Sequence, residues 1–215
     1  MGVVLEVAVA HERDVAGALE GGADRLHVAT PAGEPLEPVV VSAVCREAGA
    51  VPVFAAVTRA EQVPVLRELG VAGVSVGFLD ADLEVDVEAC AALGDVAWQY
   101  VALDHALDPR RSWRRLAGPP ALPGLVGVRS AGSPRGMSEG YDDLQAAADA
   151  DPAVAALLVP GDGLLAEHVP WLVRAGVRAF HVDLQARPSG SWKAYVAPDL
   201  VRSWRLLLDG ALERL

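Results

Sequence analysis

The chain has 215 residues, 52% of them hydrophobic and 22% charged, which suffices for one well-buried core and hardly for two. Eighteen Lys plus Arg stand against 29 Asp plus Glu, a formal net charge of -11. That is the wrong sign for neutralising a phosphate backbone or an anionic bilayer surface, so neither nucleic acid nor membrane is an expected partner. No apolar run approaches the roughly 20 residues of a bilayer span, and residues 1–6 lack the basic region and cleavage site of a secretory signal, so a cytoplasmic protein is expected. Cys45 and Cys90 are the only cysteines and both fall in helical patterns, which leaves no disulfide framework and no CxxC motif.

Short Val, Ala and Leu runs alternate with amphipathic stretches along the whole length, as in a parallel sheet whose strands are each followed by a crossover helix. In chain order the units are strand 3–10 with helix 13–20, 25–29 with 37–48, 53–58 with 60–69, and 73–77 with 85–93. Then come 96–103 with 110–116, 125–129 with 139–150, 155–159 with 165–175, and 179–183 with 198–212. Eight such α/β units predict a closed (β/α)8 TIM barrel, a single domain over residues 1–215. An open doubly wound sheet would carry a glycine-rich fingerprint after its first strand, and Ala10-His11-Glu12-Arg13 stands there instead.

Alternation along each strand sends one parity to the helices and the other to the lumen. In the first strand Leu5, Val7 and Val9 oppose Glu6, Ala8 and Ala10, and in the second Leu26 and Val28 oppose Arg25, His27 and Ala29. The fifth reads Val101 and Leu103 against Tyr100, Ala102 and Asp104; the sixth Val126 and Val128 against Gly127 and Arg129; the eighth Phe180 and Val182 against Ala179, His181 and Asp183. The lumen is therefore predicted to collect Glu6, Arg25, His27, Asp104, Arg129, His181 and Asp183.

Buried charges cost several kcal/mol each unless paired, so this set is either a satisfied network or a ligand site. Glu6 and Arg25 read as a structural pair, because Arg25 opens its strand at the bottom of the barrel. Arg129, His181, Asp183 and Asp104 with His105 lie where the loops after the strands begin, the face that carries active sites in barrel enzymes. His27 reads as a core histidine held by Glu6 or as a ligand contact, and His11 and His168 read as solvated. Ser130 after the sixth strand, with Gly161 and Gly163 after the seventh, allow close backbone approach to an anion, although Asp162 between them opposes it.

Leu5-Glu6-Val7, Gly21-Gly22-Ala23-Asp24-Arg25 with Leu26, and Val76-Gly77-Phe78-Leu79-Asp80-Ala81-Asp82 with Val85-Asp86 resemble the CutC family, named for copper homeostasis. The segments from Ala102 to Asp108, Val159 to Gly163, and Ala179-Phe180-His181 resemble later parts of the family pattern in the same order. The resemblance implies a (β/α)8 barrel, a cytoplasmic location, homodimers and a link to copper, with no settled catalytic activity. Against the family pattern, cysteines are replaced by Ala8 and Ala29, a glutamate by His27, a His-Arg pair by Asp104-His105, and a basic loop is cut to Thr58-Arg59. Copper(I) prefers thiolate and thioether donors, so a buried copper(I) site is not expected. Copper(II) or zinc would use His27, His181 and Asp183.

Two functions fit these readings. One is a CutC-like protein holding a metal ion or a small anion at the barrel mouth without turnover. The other is a lyase or isomerase acting on a small phosphate- or carboxylate-bearing substrate, with His181 or Asp104 as general base, Asp183 beside His181, and Arg129 or Arg59 as anion clamp. Ser130, His105, Gly161 and Gly163 would line its ligand site. Lys193, the only lysine, lies beyond the eighth strand, so a Schiff base is not expected. Trp192 reads as a loop aromatic available to a subunit interface or a lid.

Overall fold

The structure, a computed structural model, describes residues 2–215. Its eight parallel strands are β1 Val4–Val9, β2 Arg25–Val28, β3 Val53–Val57, β4 Gly73–Val76, β5 Ala97–Tyr100, β6 Leu125–Ser130, β7 Leu158–Pro160 and β8 Ala179–Val182. From β1 to β7 each strand pairs with the next in sequence, and β8 pairs with β1, so that Glu6 stands opposite Arg25 on one side and His181 on the other. β7 lies beside β8 without a ladder, which makes this a nearly closed TIM barrel with one open seam.

The helices α1 Glu12–Gly21, α2 Pro38–Ala48, α3 Val63–Glu68, α4 Val87–Ala91, α5 Pro109–Ala117, α6 Met137–Ala150, α7 Pro152–Leu157, α8 Val169–Ala175 and α9 Pro198–Leu212 surround the sheet. Their starts follow from local chemistry: Asp86, Asp108 and Asp151 accept backbone N–H bonds at the heads of α4, α5 and α7. The core lies between sheet and helices, where Leu5, Val7, Leu26, Phe180 and Val182 meet Val15, Val44, Leu172 and Leu208. Each such buried side chain contributes about 1.5–3 kcal/mol. Gly21 lets α1 approach α9, since a Cβ there would stand 2.4 Å from that of Val201. No helix among the described residues is long and apolar enough to cross a membrane.

Two expectations are corrected. The seventh strand does not begin at Ala155, because the Asp151 cap and Pro152 nucleate α7 and the strand starts only at Leu158. In β5 the parity is reversed and the strand ends at Tyr100: Trp98 and Tyr100 face the helices, and Gln99 faces the lumen. Both aromatics bury their bodies outside the sheet and satisfy their polar tips there, Trp98 Nε1 donating to the Pro123 carbonyl and the Tyr100 hydroxyl to that of Phe78.

Beyond β8 the chain is locked to the start of α1. Buried Arg187 donates to both carboxylate oxygens of buried Asp14, at 3.0 and 2.9 Å, and to the Ala8 carbonyl. Trp192 lies over this guanidinium at 4.3 Å, half-buried as part of the lock.

Candidate functional site

The lumen holds a continuous polar network built from inward positions of six strands. Glu6 of β1 is fully buried and accepts from Arg25 of β2, from Gln99 Nε2 of β5 at 3.0 Å, and from His181 Nδ1 of β8 at 2.7 Å. Arg25 lies over the Phe54 ring of β3. Burial alone would raise the Glu6 pKa, but the Arg25 charge and the hydrogen bond from His181 outweigh it and hold this carboxyl well below its usual range. Higher in the barrel, Arg129 Nη1 stands 3.2 Å from His27 Nδ1 and 3.4 Å from His181 Nε2.

A guanidinium only donates, so the two ring nitrogens facing Arg129 accept. His181 Nδ1–H then donates to Glu6, and His27 Nε2–H donates to Ser75 Oγ of β4 at 2.7 Å. Burial and the nearby Arg129 charge keep the His27 pKa well below its usual value, which agrees with an accepting Nδ1. Only one edge of Arg129 is thus engaged. Its Nε is buried without a partner, and its Nη2 makes no hydrogen bond among the described residues. Two arginines share the lumen with a single carboxylate, leaving an excess of positive charge at the upper end.

The structure brings together Glu6, Arg25, His27, Arg129 and His181, but leaves the other predicted residues outside the network. Asp104 sits in a 3-10 turn after β5, its carboxylate bonded to Ser130 Oγ and the Ala131 amide. That interaction ties the turn after β5 to β6 outside the lumen, beside a groove that Asp104 and Ser130 line. Asp183 caps the turn after β8, accepting from the Leu184 amide. His105 and Arg59 are exposed on loops, Arg59 lining a separate groove with Glu61 and Pro35. Gly161 does pack over Arg129 and His181, where a Cβ would come within 3.3 Å of both, but its amide donates to the Ser130 carbonyl and is not free for an anion. Gly163, at φ 97°, turns the chain toward Met137 at the start of α6.

Two histidines differ from expectation. His27 is held by Ser75 and Arg129, with Glu6 bonded to His181 instead. His168 is not solvated: it is buried and stacked on Tyr141 at 4.1 Å. Ser75 and Gln99 were missed, although each is the single polar residue in an apolar strand, Val74-Ser75-Val76 and Trp98-Gln99-Tyr100.

A bound anion would satisfy the free Arg129 edge, whereas both ring nitrogens of His181 are engaged, Nδ1 by Glu6 and Nε2 by Arg129. The donor set does not suit copper(I). Cys45 lies in α2 and buried Cys90 in α4, both outside the lumen, and burial with the Asp86 charge pushes the Cys90 thiol up to about 12. No group of three or more His, Cys, Asp or Glu is placed to hold a metal ion among the described residues, since Asp183 is turned away from His27 and His181.

Two CutC family proteins from Klebsiella pneumoniae strains are each 31% identical to the chain. One match runs over 132 residues, 59% of this chain and 49% of the relative; the other over 127, 54% and 47%. The resemblance to the CutC family holds. The chain spans about half the length of these curated CutC relatives. Among solved structures, a CutC protein from Streptococcus agalactiae superposes with a TM-score of 0.68 at 15% identity, covering 84% of this chain and 98% of that one. Phosphoribosylanthranilate isomerase from Thermotoga maritima superposes at 0.65 with 14% identity, over 97% and 99%. At these identities the structural likeness to CutC and to the isomerase establishes the barrel fold alone. No family model matches the chain.

Proposed function

We propose that this CutC-like barrel binds a small carboxylate- or phosphate-bearing molecule at the upper end of its lumen, with Arg129 as the anion clamp. The observation that carries this reading is the buried Arg129 Nε without a partner, on a guanidinium whose Nη1 is fixed by His27 and His181. An unpaired buried donor on a charged group costs about 1–3 kcal/mol or more, and a bidentate oxyanion on the Nε and Nη2 edge removes that cost. The surplus of one positive charge in the lumen favours the same ligand.

Copper, for which the CutC family is named, is the second reading. What favours it is that His27 Nδ1 and His181 Nε2 converge on one point, now taken by Arg129 Nη1; Arg129 would have to leave for a metal to enter. Calorimetric titration with inorganic phosphate, malonate and copper(II) chloride separates the two. One anion site in the native protein, weakened at least about tenfold in Arg129→Gln, supports the anion reading. Binding of copper but of neither anion, or anion binding unchanged in Arg129→Gln, overturns it.

A further inference from the structure

On the β2 and β3 side, the lumen above His27 is walled by small side chains. The next residue to share the face of His27 is Ala29, and the next to share that of Phe54 on β3 is Ala56. Ala55 and Val57 pack into the core outside the sheet and Ala56 does not; its partner on β4 is Ser75, which holds His27. Ala56 also lines the groove on which Arg59 lies, a space of about 560 Å³ between the loop after β2 and α3. The groove therefore meets the lumen one layer above His27, whose Nδ1 faces Arg129, and the side chains that β2 and β3 present there are methyl groups. The rest of the groove is mostly apolar: Pro35 and Leu36 come from the loop after β2, and Leu66 and Val65, the latter 51% exposed, from α3. Arg59 and Glu61 also line it, but both are exposed and their charges cancel, while Gln62 Oε1 is taken by the Thr58 and Arg59 amides.

We propose that the anion held by Arg129 carries an apolar body, which lies along Ala29 and Ala56 and fills this groove. The ligand class is an acid with an alkyl or aryl chain, its head in the lumen and its chain leaving between the loop after β2 and α3. This rests on the anion reading of the same site. A chain fits better than a second charged group, because the methyl wall offers it neither donor nor acceptor and the groove has no net charge to select one. A concave, mostly apolar trough beside a few fixed polar groups is the usual form of a small-molecule site, the apolar part supplying affinity and the polar part orientation. Each methylene that enters leaves water, which is worth about a fourfold gain in affinity.

Calorimetric titration of the full chain with acetate, butyrate and hexanoate tests this. In the native protein affinity should rise along the series, about fourfold for each methylene that enters the groove. Val65→Asp, at an exposed position, puts a carboxylate in the trough, and Ala56→Leu fills its opening; circular dichroism checks that both fold. Each should cut the hexanoate-to-acetate affinity ratio at least about tenfold, whereas Arg129→Gln should weaken all three acids. Acetate bound through Arg129 with no gain from chain length overturns the proposal and leaves the anion reading standing; no binding of acetate, phosphate or malonate overturns both. A gain that persists in both Val65→Asp and Ala56→Leu places the chain elsewhere, and hexanoate binding undiminished in Arg129→Gln shows a chain held without its head contact; either result overturns the proposal.

Discussion

The pair Glu6 and His27 makes the lumen acid-sensitive from two sides. Both groups have folded-state pKa values below their ordinary ones, Glu6 because Arg25 and His181 outweigh its burial, His27 because of burial and Arg129. In each case the unfolded chain takes up the proton first, so the stabilisation is complete above the unfolded value and is lost as pH falls toward and through the folded one. For His27 the loss begins below 6.5, and for Glu6 below 4.5. The native protein should therefore lose up to about 1.4 kcal/mol per pH unit on the acid side of the histidine value. Scanning calorimetry between neutral pH and the carboxylate range should show Tm falling for the native chain. In His27→Gln, whose amide can still donate to Ser75 and accept from Arg129, the curve should be flatter down to the point where Glu6 begins to titrate. Parallel curves would show that His27 does not carry the early loss.

Between elements, the most concentrated interaction lies outside the lumen, where Arg187 after β8 grips Asp14 of α1. Asp14 also accepts from the Ala10 and Val196 amides, so its carboxylate holds the end of β1, the start of α1 and the approach to α9 together. Arg187→Met leaves a buried carboxylate without its cation and should cost about 3–5 kcal/mol. Urea unfolding followed by tryptophan emission would measure it, with an early red shift if Trp192 leaves the guanidinium it covers; a loss below 1 kcal/mol, about the value of an exposed pair, would mean that the lock is not buried in solution. This lock was not legible in the sequence, because Asp14 and Arg187 stand 173 residues apart and neither interrupts an apolar pattern. The lumen was more legible. Period-two alternation placed Glu6, Arg25, His27, Arg129 and His181 on one face, since the opposite parity read in those strands, Leu5, Val7, Val9, Leu26, Val28, Val126, Val128, Phe180 and Val182, is uniformly apolar. The same test failed in β5, where Trp98 and Tyr100 are as apolar as the helices require yet carry polar tips, and it failed for Asp104 and Asp183, where the strand ends before the residue and a local backbone amide captures the carboxylate.

For the molecule as a whole, the repeat of eight units specified the barrel, but not where it closes. β7 has only three residues and ends in Pro160, and α7 takes up the residues just before it, so the edge facing β8 is short. β1, by contrast, is bonded along both sides, to β2 and to β8. The backbone groups on the seam side of β7 and β8 therefore lack the interstrand bonds that every other edge supplies, and opening there separates side chains without breaking a ladder. Amide hydrogen exchange under native conditions should rank the strands accordingly, with β1 and β2 exchanging only by global unfolding and the seam-side amides of β8 exchanging through smaller openings. If a ligand bridges the upper rim through Arg129 of β6 and His181 of β8, it spans that seam. Adding phosphate should then slow exchange in β7 and β8 while leaving β1 to β4 unchanged; uniform slowing across all eight strands would instead mean that the seam is already as tight as the paired edges.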